Sequence, residues 1–166
     1  MHNEEWFDEV FAAHAVAVHR FLRRRLNTTQ GIVGADDLTA EVFAIAWRRR
    51  ADVPDDAALP WLYATARRVA ANHFRRVSKD SVTDHSFDTT DEAVDVGADP
   101  AELVSSSDEL TSAWRQLSAR DRQVLALVAW EGLTEAEVAV VLDMSVGGAS
   151  AAISRARQRL SEQLEG

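Results

Sequence analysis

GLTEAEVAVVLDMSVGGASAAISRARQRL, residues 132–160, decides the fold class. Thr134 followed three residues on by Glu137 is the reciprocal pair that satisfies two orphaned N–H groups at a helix start. Val138, Val141 and Leu142 then form the apolar stripe of a short helix, which Asp143-Met144-Ser145 breaks. Ser145 caps a second helix carrying Ile153, Arg155, Arg157, Arg159 and Leu160. Two short helices across a tight turn make a helix-turn-helix, a motif whose second helix enters the major groove in proteins that bind DNA.

Working back from this motif, Ser118 caps a helix predicted over Ala119 to Trp130, with Val124, Leu125, Leu127 and Val128 inward. A helical pattern with Trp114 and Leu117 begins near Leu110, so residues 110–166 form one compact helical domain. Upstream, Val77 to Glu109 is rich in Ser, Thr and Asp, contains Gly97 and Pro100, and lacks apolar periodicity apart from a short turn expected at Pro100 to Val104. This composition predicts a linker, taken as residues 79–109.

Charge sharpens that division. The formal net charge is -9, which disfavours phosphate binding for the chain as a whole. Asp80 to Glu109, however, holds ten Asp and Glu and no Lys or Arg, while Met1 to Lys79 has 12 basic and 10 acidic residues. The acidity belongs to the linker, and the two flanking domains are close to neutral.

Residues 1–78 predict three helices. Glu4 to Leu26 places Trp6, Val10, Ala13, Ala17, Phe21 and Leu22 on one stripe and gathers Arg20, Arg23, Arg24 and Arg25 at its end as a solvated cationic terminus. Asn27 to Gly34 reads as a loop, and Asp36 or Asp37 opens a helix to about Arg50 with Leu38, Val42, Phe43, Ile45 and Ala46 apolar. After an acidic loop bracketed by Pro54 and Pro60, a third helix runs from Trp61 to about Arg76. Leu62, Ala66, Val69 and Ala70 make its core stripe. Trp61, Thr65, Arg68, Asn72, Arg75 and Arg76 share the opposite side. An aromatic ring, an amide and three guanidinium groups on one face suit single-stranded nucleic acid, because bases stack on rings and Arg tracks phosphates.

The absence of cysteine excludes disulfides and thiolate metal sites. The five His are scattered, with His14 and His19 five residues apart rather than four, and no carboxylate pair or Gly-rich phosphate loop accompanies them. Neither an enzyme nor a bound metal or cofactor is expected, and no small-molecule substrate. The opening residues lack a signal-peptide layout and no apolar run approaches the ~20 residues of a membrane span. A cytoplasmic protein without membrane insertion is expected.

Ala35 to Trp47 (ADDLTAEVFAIAW), followed by Trp61 to Arg68 (WLYATARR), resembles region 2 of the extracytoplasmic-function (ECF) sigma factors. Leu117 to Leu125 (LSARDRQVL), with Glu131-Gly132-Leu133-Thr134 and Arg155-Ala156-Arg157, resembles their region 4. The resemblance covers most of the chain and implies an all-α fold of two small helical domains joined by a flexible acidic linker. It implies a factor that binds core RNA polymerase, directs it to promoters and helps melt the minus 10 element, with an anti-sigma factor holding the free protein.

By matching positions, Asp37, Leu38, Glu41, Val42, Phe43 and Trp47 would face the polymerase. Trp61, Arg68, Asn72, Arg75 and Arg76, with the loop around Asp52 to Leu59, would meet minus 10 DNA. Gly148, Ser150, Ala151, Ser154, Arg155 and Arg157 would face the minus 35 groove, where Arg159 could also grip phosphate. Three departures stand out: Arg68 where the family often has Asn, an unusually acidic loop before Trp61, and Val146 to Ala152 without two basic side chains expected there. Two other readings remain open: a sigma-like mimic that occupies an anti-sigma factor, and a helix-turn-helix regulator with an N-terminal sensor. The linker acids could also compete with phosphate for Arg68, Arg75 and Arg76.

Overall fold

The computed structural model describes residues 2–26, 31–81 and 107–166. These form seven α-helices, with no strand among the described residues: α1 Glu4–Arg25, α2 Gly31–Arg48, α3 Ala58–Ser81, α4 Asp108–Gln116, α5 Ala119–Ala129, α6 Glu135–Leu142 and α7 Val146–Glu165. They fall into two compact units, one holding α1 to α3 and the other α4 to α7.

In the first unit the three helices pack on one another pairwise. Asn3 caps α1 by accepting the Trp6 N–H (3.0 Å), and Glu4 and Glu5 lie in the first turn, where the helix dipole favours anions. The buried stripe of α1 is Val10, Val18, Phe21 and Leu22, and Tyr63 of α3 stacks on Phe21 with centroids 4.7 Å apart. Ala13, expected on that stripe, is exposed; Val18 takes the inward direction instead. Arg25 also departs from the expected solvated cluster. It is 6% exposed, its guanidinium lies 3.5 Å from the Phe21 ring centroid, and it donates to the Phe21 carbonyl. Desolvation of that cation is offset by the ring face and the carbonyl.

Two boundaries differ from the sequence reading. α2 starts at Gly31, inside the expected 27–34 loop, of which residues 27–30 lie outside the described structure. Gly34 is no breaker there: it lies within the first turns of α2, and a Cβ on it would make an ordinary contact, 3.5 Å, with the Leu26 side chain at the end of α1. α3 begins at Ala58 rather than Trp61, because Pro60 falls in the first turn, where N–H groups lack intrahelical partners and a missing one costs nothing. It runs on to Ser81, past the expected end near Arg76. Most of the 79–109 linker, the turn expected at Pro100 to Val104 and seven of the ten acids expected to compete with phosphate lie outside the described residues, while Asp80 belongs to α3 and Asp108 and Glu109 open α4.

The second unit is built around α7, which packs against α4, α5 and α6. Ala149, Ala152, Ile153 and Ala156 are its buried residues, and the three alanines allow close helix approach. Trp114, Leu117, Leu125, Ala126 and Ala156 form a core cluster flanked by Trp130 and Leu160, with the two indoles edge to face at 5.2 Å. Each of the four helices has a side-chain N-cap, from Ser107, Ser118, Thr134 and Ser145. Val128, expected inward on α5, is half-buried, and Ala126 occupies the core direction.

Candidate nucleic-acid interface

The face expected on α3 opens only in the second half of that helix. Leu62, Tyr63, Ala64, Thr65 and Ala66 are consecutive buried residues, so the helix is embedded on all sides before it emerges. Thr65 is therefore not on the open face: it is 6% exposed, and its hydroxyl donates to the Trp61 carbonyl (3.0 Å). Arg68, Asn72, Arg75 and Arg76 are exposed on one side. The Arg75 guanidinium donates to Asn72 Oδ1 (3.1 Å), which orients it. Arg76 lies 3.9 Å from Glu41 of α2, a solvated pair that holds neither side chain firmly.

Trp61 is half-buried at the inner end of this side, with the Arg49 guanidinium 5.8 Å from its ring centroid. Arg49 is itself tied to Asp52 (3.0 Å). Arg49 is thus a neighbour of the candidate site that the sequence did not reveal, because helical spacing relates residues of one helix and Arg49 directly follows a different one. The loop expected over Asp52–Leu59 follows a short 3₁₀ turn, Arg50–Asp52, is anchored by the buried Val53 and ends at Ala57, since Ala58 and Leu59 belong to α3.

The six α2 positions do not all face outward. Leu38, Val42 and Phe43 are 5%, 0% and 3% exposed and belong to the core of their own unit, so they cannot present side chains to a partner while the unit is folded. Asp37 is exposed and Glu41 and Trp47 are partly so. Ala40, Ala44 and Arg48 complete the same outward side, at three- and four-residue steps from Asp37. The Trp47 ring meets Phe7 edge to face at 5.3 Å and carries the Arg50 guanidinium 4.4 Å above it. Phe11 of α1, 47% exposed, packs on Phe43 at 4.8 Å. Asp37, Glu41 and Arg48 with Phe11 and Trp47 thus give α1 and α2 a surface of mixed charge and aromatic rings, distinct in character from α3.

In the helix-turn-helix the capping box is complete: Thr134 N–H donates to the Glu137 carboxylate (2.8 Å) and Glu137 N–H to the Thr134 hydroxyl (3.3 Å). α6 ends on Asp143 in the left-handed conformation (φ 52°, ψ 55°), and Met144 N–H returns to the Ala139 carbonyl at 3.0 Å. This closes the last turn as a Schellman-type stop. α7 leaves at 103° to α6. Ser145 caps it through the Gly148 N–H (3.0 Å).

Of the six α7 positions, Ser154, Arg155 and Arg157 are exposed and Gly148, Ser150 and Ala151 half-exposed. With the buried residues on one side, the middle of the outward side falls on Gly147, Ala151, Ser154 and Gln158. Gly147 and Gln158 were not anticipated. Arg155 and Arg157 lie on opposite flanks, about 160° apart around the helix. Gly148 is small for a local reason: an added Cβ would stand 3.0 Å from the capping Ser145 hydroxyl and 3.3 Å from Met144 Cε. Arg159 leaves the groove-facing set. Its terminal nitrogen contacts both oxygens of the nearly buried Asp121 (2.9 and 2.8 Å), tying α7 to α5.

No group of His, Asp and Glu among the described residues is arranged to hold a metal, and no single helix there is long and apolar enough to cross a membrane.

Residues 10–79 match the family described as sigma-70 region 2, and residues 107–160 that described as sigma-70, region 4. A probable RNA polymerase sigma factor, RfaY of Xanthomonas campestris pv. campestris, is 28% identical over 144 residues covering 84% of this chain; the chain spans 36% of that protein's length. The RNA polymerase sigma factor CnrH of Cupriavidus metallidurans is 29% identical over 178 residues, covering 98% of this chain and 88% of its own. The structure of CnrH in complex with the cytosolic domain of CnrY is similar with a TM-score of 0.63 at 25% identity, over 98% of this chain and 90% of the other. The sigma factor RpoE in complex with the anti-sigma factor NepR, from Bartonella quintana, gives a TM-score of 0.63 at 20% identity over 96% of both chains, a likeness of fold.

Proposed function

This chain belongs to the sigma-70 family and is an ECF-type sigma factor carrying regions 2 and 4, and on that premise we propose how its surfaces divide the work. Residues 1–78 act as region 2, 110–166 as region 4, and 79–109 as the acidic tether between them. The protein acts in the cytoplasm, binds core RNA polymerase, brings it to promoters and assists strand separation by binding, without catalysing a covalent step itself.

The observation that carries this reading is the open Arg68-Asn72-Arg75-Arg76 side of α3, which leaves the bundle with donors directed to solvent. Arg residues neutralise phosphates, while the Trp61 ring at the inner end offers a stacking platform. Strand opening costs a few kcal/mol per unstacked base, and capture of the displaced base offsets it. Polymerase contact falls to the outward side of α2, through Asp37, Glu41 and Trp47, while Leu38, Val42 and Phe43 support it from beneath.

On α7 a centre of small side chains flanked by Arg155 and Arg157 suits close approach to the groove with an arginine reaching toward either backbone. Few donors are available for base edges, so shape and backbone contacts carry more of the minus 35 recognition than Arg-to-guanine pairs do. The likeness to CnrH, solved with the cytosolic domain of CnrY, supports a protein partner for this chain as well, in the role of the expected anti-sigma factor.

Transcript mapping after overexpression supplies the cognate promoter, and purified protein with core polymerase is then expected to start transcripts from it. A chain that neither binds core nor changes its promoter choice overturns the proposal; one that binds a partner of CnrY type but not core acts as a mimic instead.

A further inference from the structure

His2 reaches across 48 and 53 residues of sequence to the loop between α2 and α3. It directly precedes the Asn3 cap, and its ring lies flat on Trp6 in the first turn of α1, with centroids 3.9 Å and planes 9° apart. From that shelf Nδ1 faces the Arg50 carbonyl oxygen and Nε2 faces Asp55 Oδ1. Both partners are acceptors: a carbonyl has no proton to give, and neither has an ionised carboxylate. A neutral imidazole carries one N–H and one lone pair, so it can satisfy one of these contacts while setting its lone pair against the other. Only the imidazolium donates to both.

The contact lands on the corner of the loop. The Arg50 carbonyl also takes the Val53 N–H (3.4 Å) that closes the 3₁₀ turn. Asp52 in that turn holds Arg49, and Arg49 stands over Trp61. Arg50 is thereby linked, through the exposed Asp52–Arg49 pair, to the ring at the inner end of the α3 face.

We propose that His2, as an imidazolium, is a positioning residue for the Arg50–Ala57 loop, clasping it to the first turn of α1 and setting the placement of Arg49 on Trp61, and that the clasp opens as the ring loses its proton. The consequence for promoter opening rests on the reading of α3 given above; the clasp itself does not. Asp55 is the charge that favours the imidazolium. Burial of the ring opposes it, and the cations nearby are Arg48 and Arg50, which with His2 and Ala51 line one cavity of about 510 Å³. The hydrogen bond to the Arg50 carbonyl, and then that to Asp55, outweigh burial and raise the His2 pKa above its ordinary 6.5. The folded value is the higher one, so the clasp is complete below the unfolded value and is lost as pH rises through the folded value.

The test uses the full chain. Amide exchange across residues 50–57, corrected for intrinsic rates, is compared at pH 6 and pH 8 for the wild type, His2→Ala, Asp55→Asn and His19→Gln. In the wild type and His19→Gln it is expected to quicken by roughly threefold or more between the two pH values, the weight of one lost hydrogen bond. In His2→Ala it should be fast at both, and in Asp55→Asn the quickening should set in at lower pH than in the wild type. A titration followed by NMR of labelled histidine should place His2 above the ordinary value in the wild type and lower it in Asp55→Asn. Equal exchange in wild type and His2→Ala, or a His2 ring that titrates at the ordinary value, overturns the inference without polymerase or DNA entering the measurement.

With core polymerase and a promoter, permanganate reactivity of the opened strand should respond to pH in the wild type and lose that response in His2→Ala; an identical response in both overturns the link from loop to α3. A wild type that opens no promoter at any pH while both clasp signatures hold refutes the promoter reading and leaves the clasp established.

Discussion

Replacing Gly147 by Ala should stabilise the second unit while weakening its hold on DNA, a separation that follows from two adjacent glycines in different surroundings. Gly147 is the second residue of α7, and a Cβ added there meets nothing within 4 Å. The gain is the helix-propensity difference between Gly and Ala, which is about 0.5–1 kcal/mol in a helix interior and no more than that in this first turn, and raises the melting temperature of a unit this size by up to a few degrees. Gly148→Ala has the same gain in principle. Its Cβ, however, would stand 3.0 Å from the Ser145 hydroxyl that caps α7 by accepting the Gly148 N–H. Met144 Cε, at 3.3 Å, can swing aside; the cap oxygen must give by a few tenths of an ångström, which strains a bond whose full loss costs ~1 kcal/mol. The net effect there is about zero or destabilising.

Unfolding of the full chain, followed by amide exchange in α5 to α7, should therefore rank Gly147→Ala above wild type and wild type at or above Gly148→Ala. The reverse order refutes the assignment of Gly148 to the cap. Promoter binding by the holoenzyme should fall for Gly147→Ala despite its greater stability, since the methyl sits in the middle of the outward side of α7. Unchanged or tighter binding would rule out close backbone approach.

Other outcomes follow from the same geometry. Ser150→Lys, placed on the half-exposed flank of α7 near Arg157, should strengthen promoter binding and steepen the salt dependence of log K by about one; titration at several salt concentrations reads this directly. Asp121 and Arg159 form a single cross-helix pair with one partner nearly buried and the other half-exposed, so a double-mutant cycle on unfolding should return a coupling of ~0.5–1 kcal/mol. If Arg159 instead gripped phosphate, its loss would change DNA binding without coupling to Asp121. On α2, Val42→Ala should cost about 2 kcal/mol of stability because Val42 is fully buried, whereas Asp37→Ala should leave unfolding unchanged and weaken core polymerase binding. A stable Val42→Ala or an unfolded Asp37→Ala reverses the division of that helix.

The helix-turn-helix was legible in residue order alone, because its signals are local: a Thr–Glu pair three apart and Ser before a run of small residues read the same in a sequence as in a fold. So was the Arg68-Asn72-Arg75-Arg76 side of α3, a matter of helical periodicity. Thr65 shares that periodicity and is nonetheless buried, since burial on α3 depends on how far along its length the neighbouring helices reach. On α2 periodicity had put Leu38, Val42 and Phe43 on the apolar face, and it was matching positions to the family that turned them toward a partner; on α7 the same matching passed over Gly147 and Gln158. A motif match names positions along a helix; it does not say on which side of that helix the core lies.

The sequence by itself determined the all-α class, the acidic stretch between two nearly neutral helical segments and the resemblance to regions 2 and 4, since composition, capping and 3.6-residue spacing are properties of neighbours in the chain. Only tertiary structure decided that Arg159 belongs to Asp121, that Arg49 stands over Trp61, that Arg25 is buried against Phe21, and that His2 holds the loop before α3. Each of these joins residues on different elements or depends on which face is covered, and such contacts follow from packing distances and desolvation, which spacing along one helix does not encode.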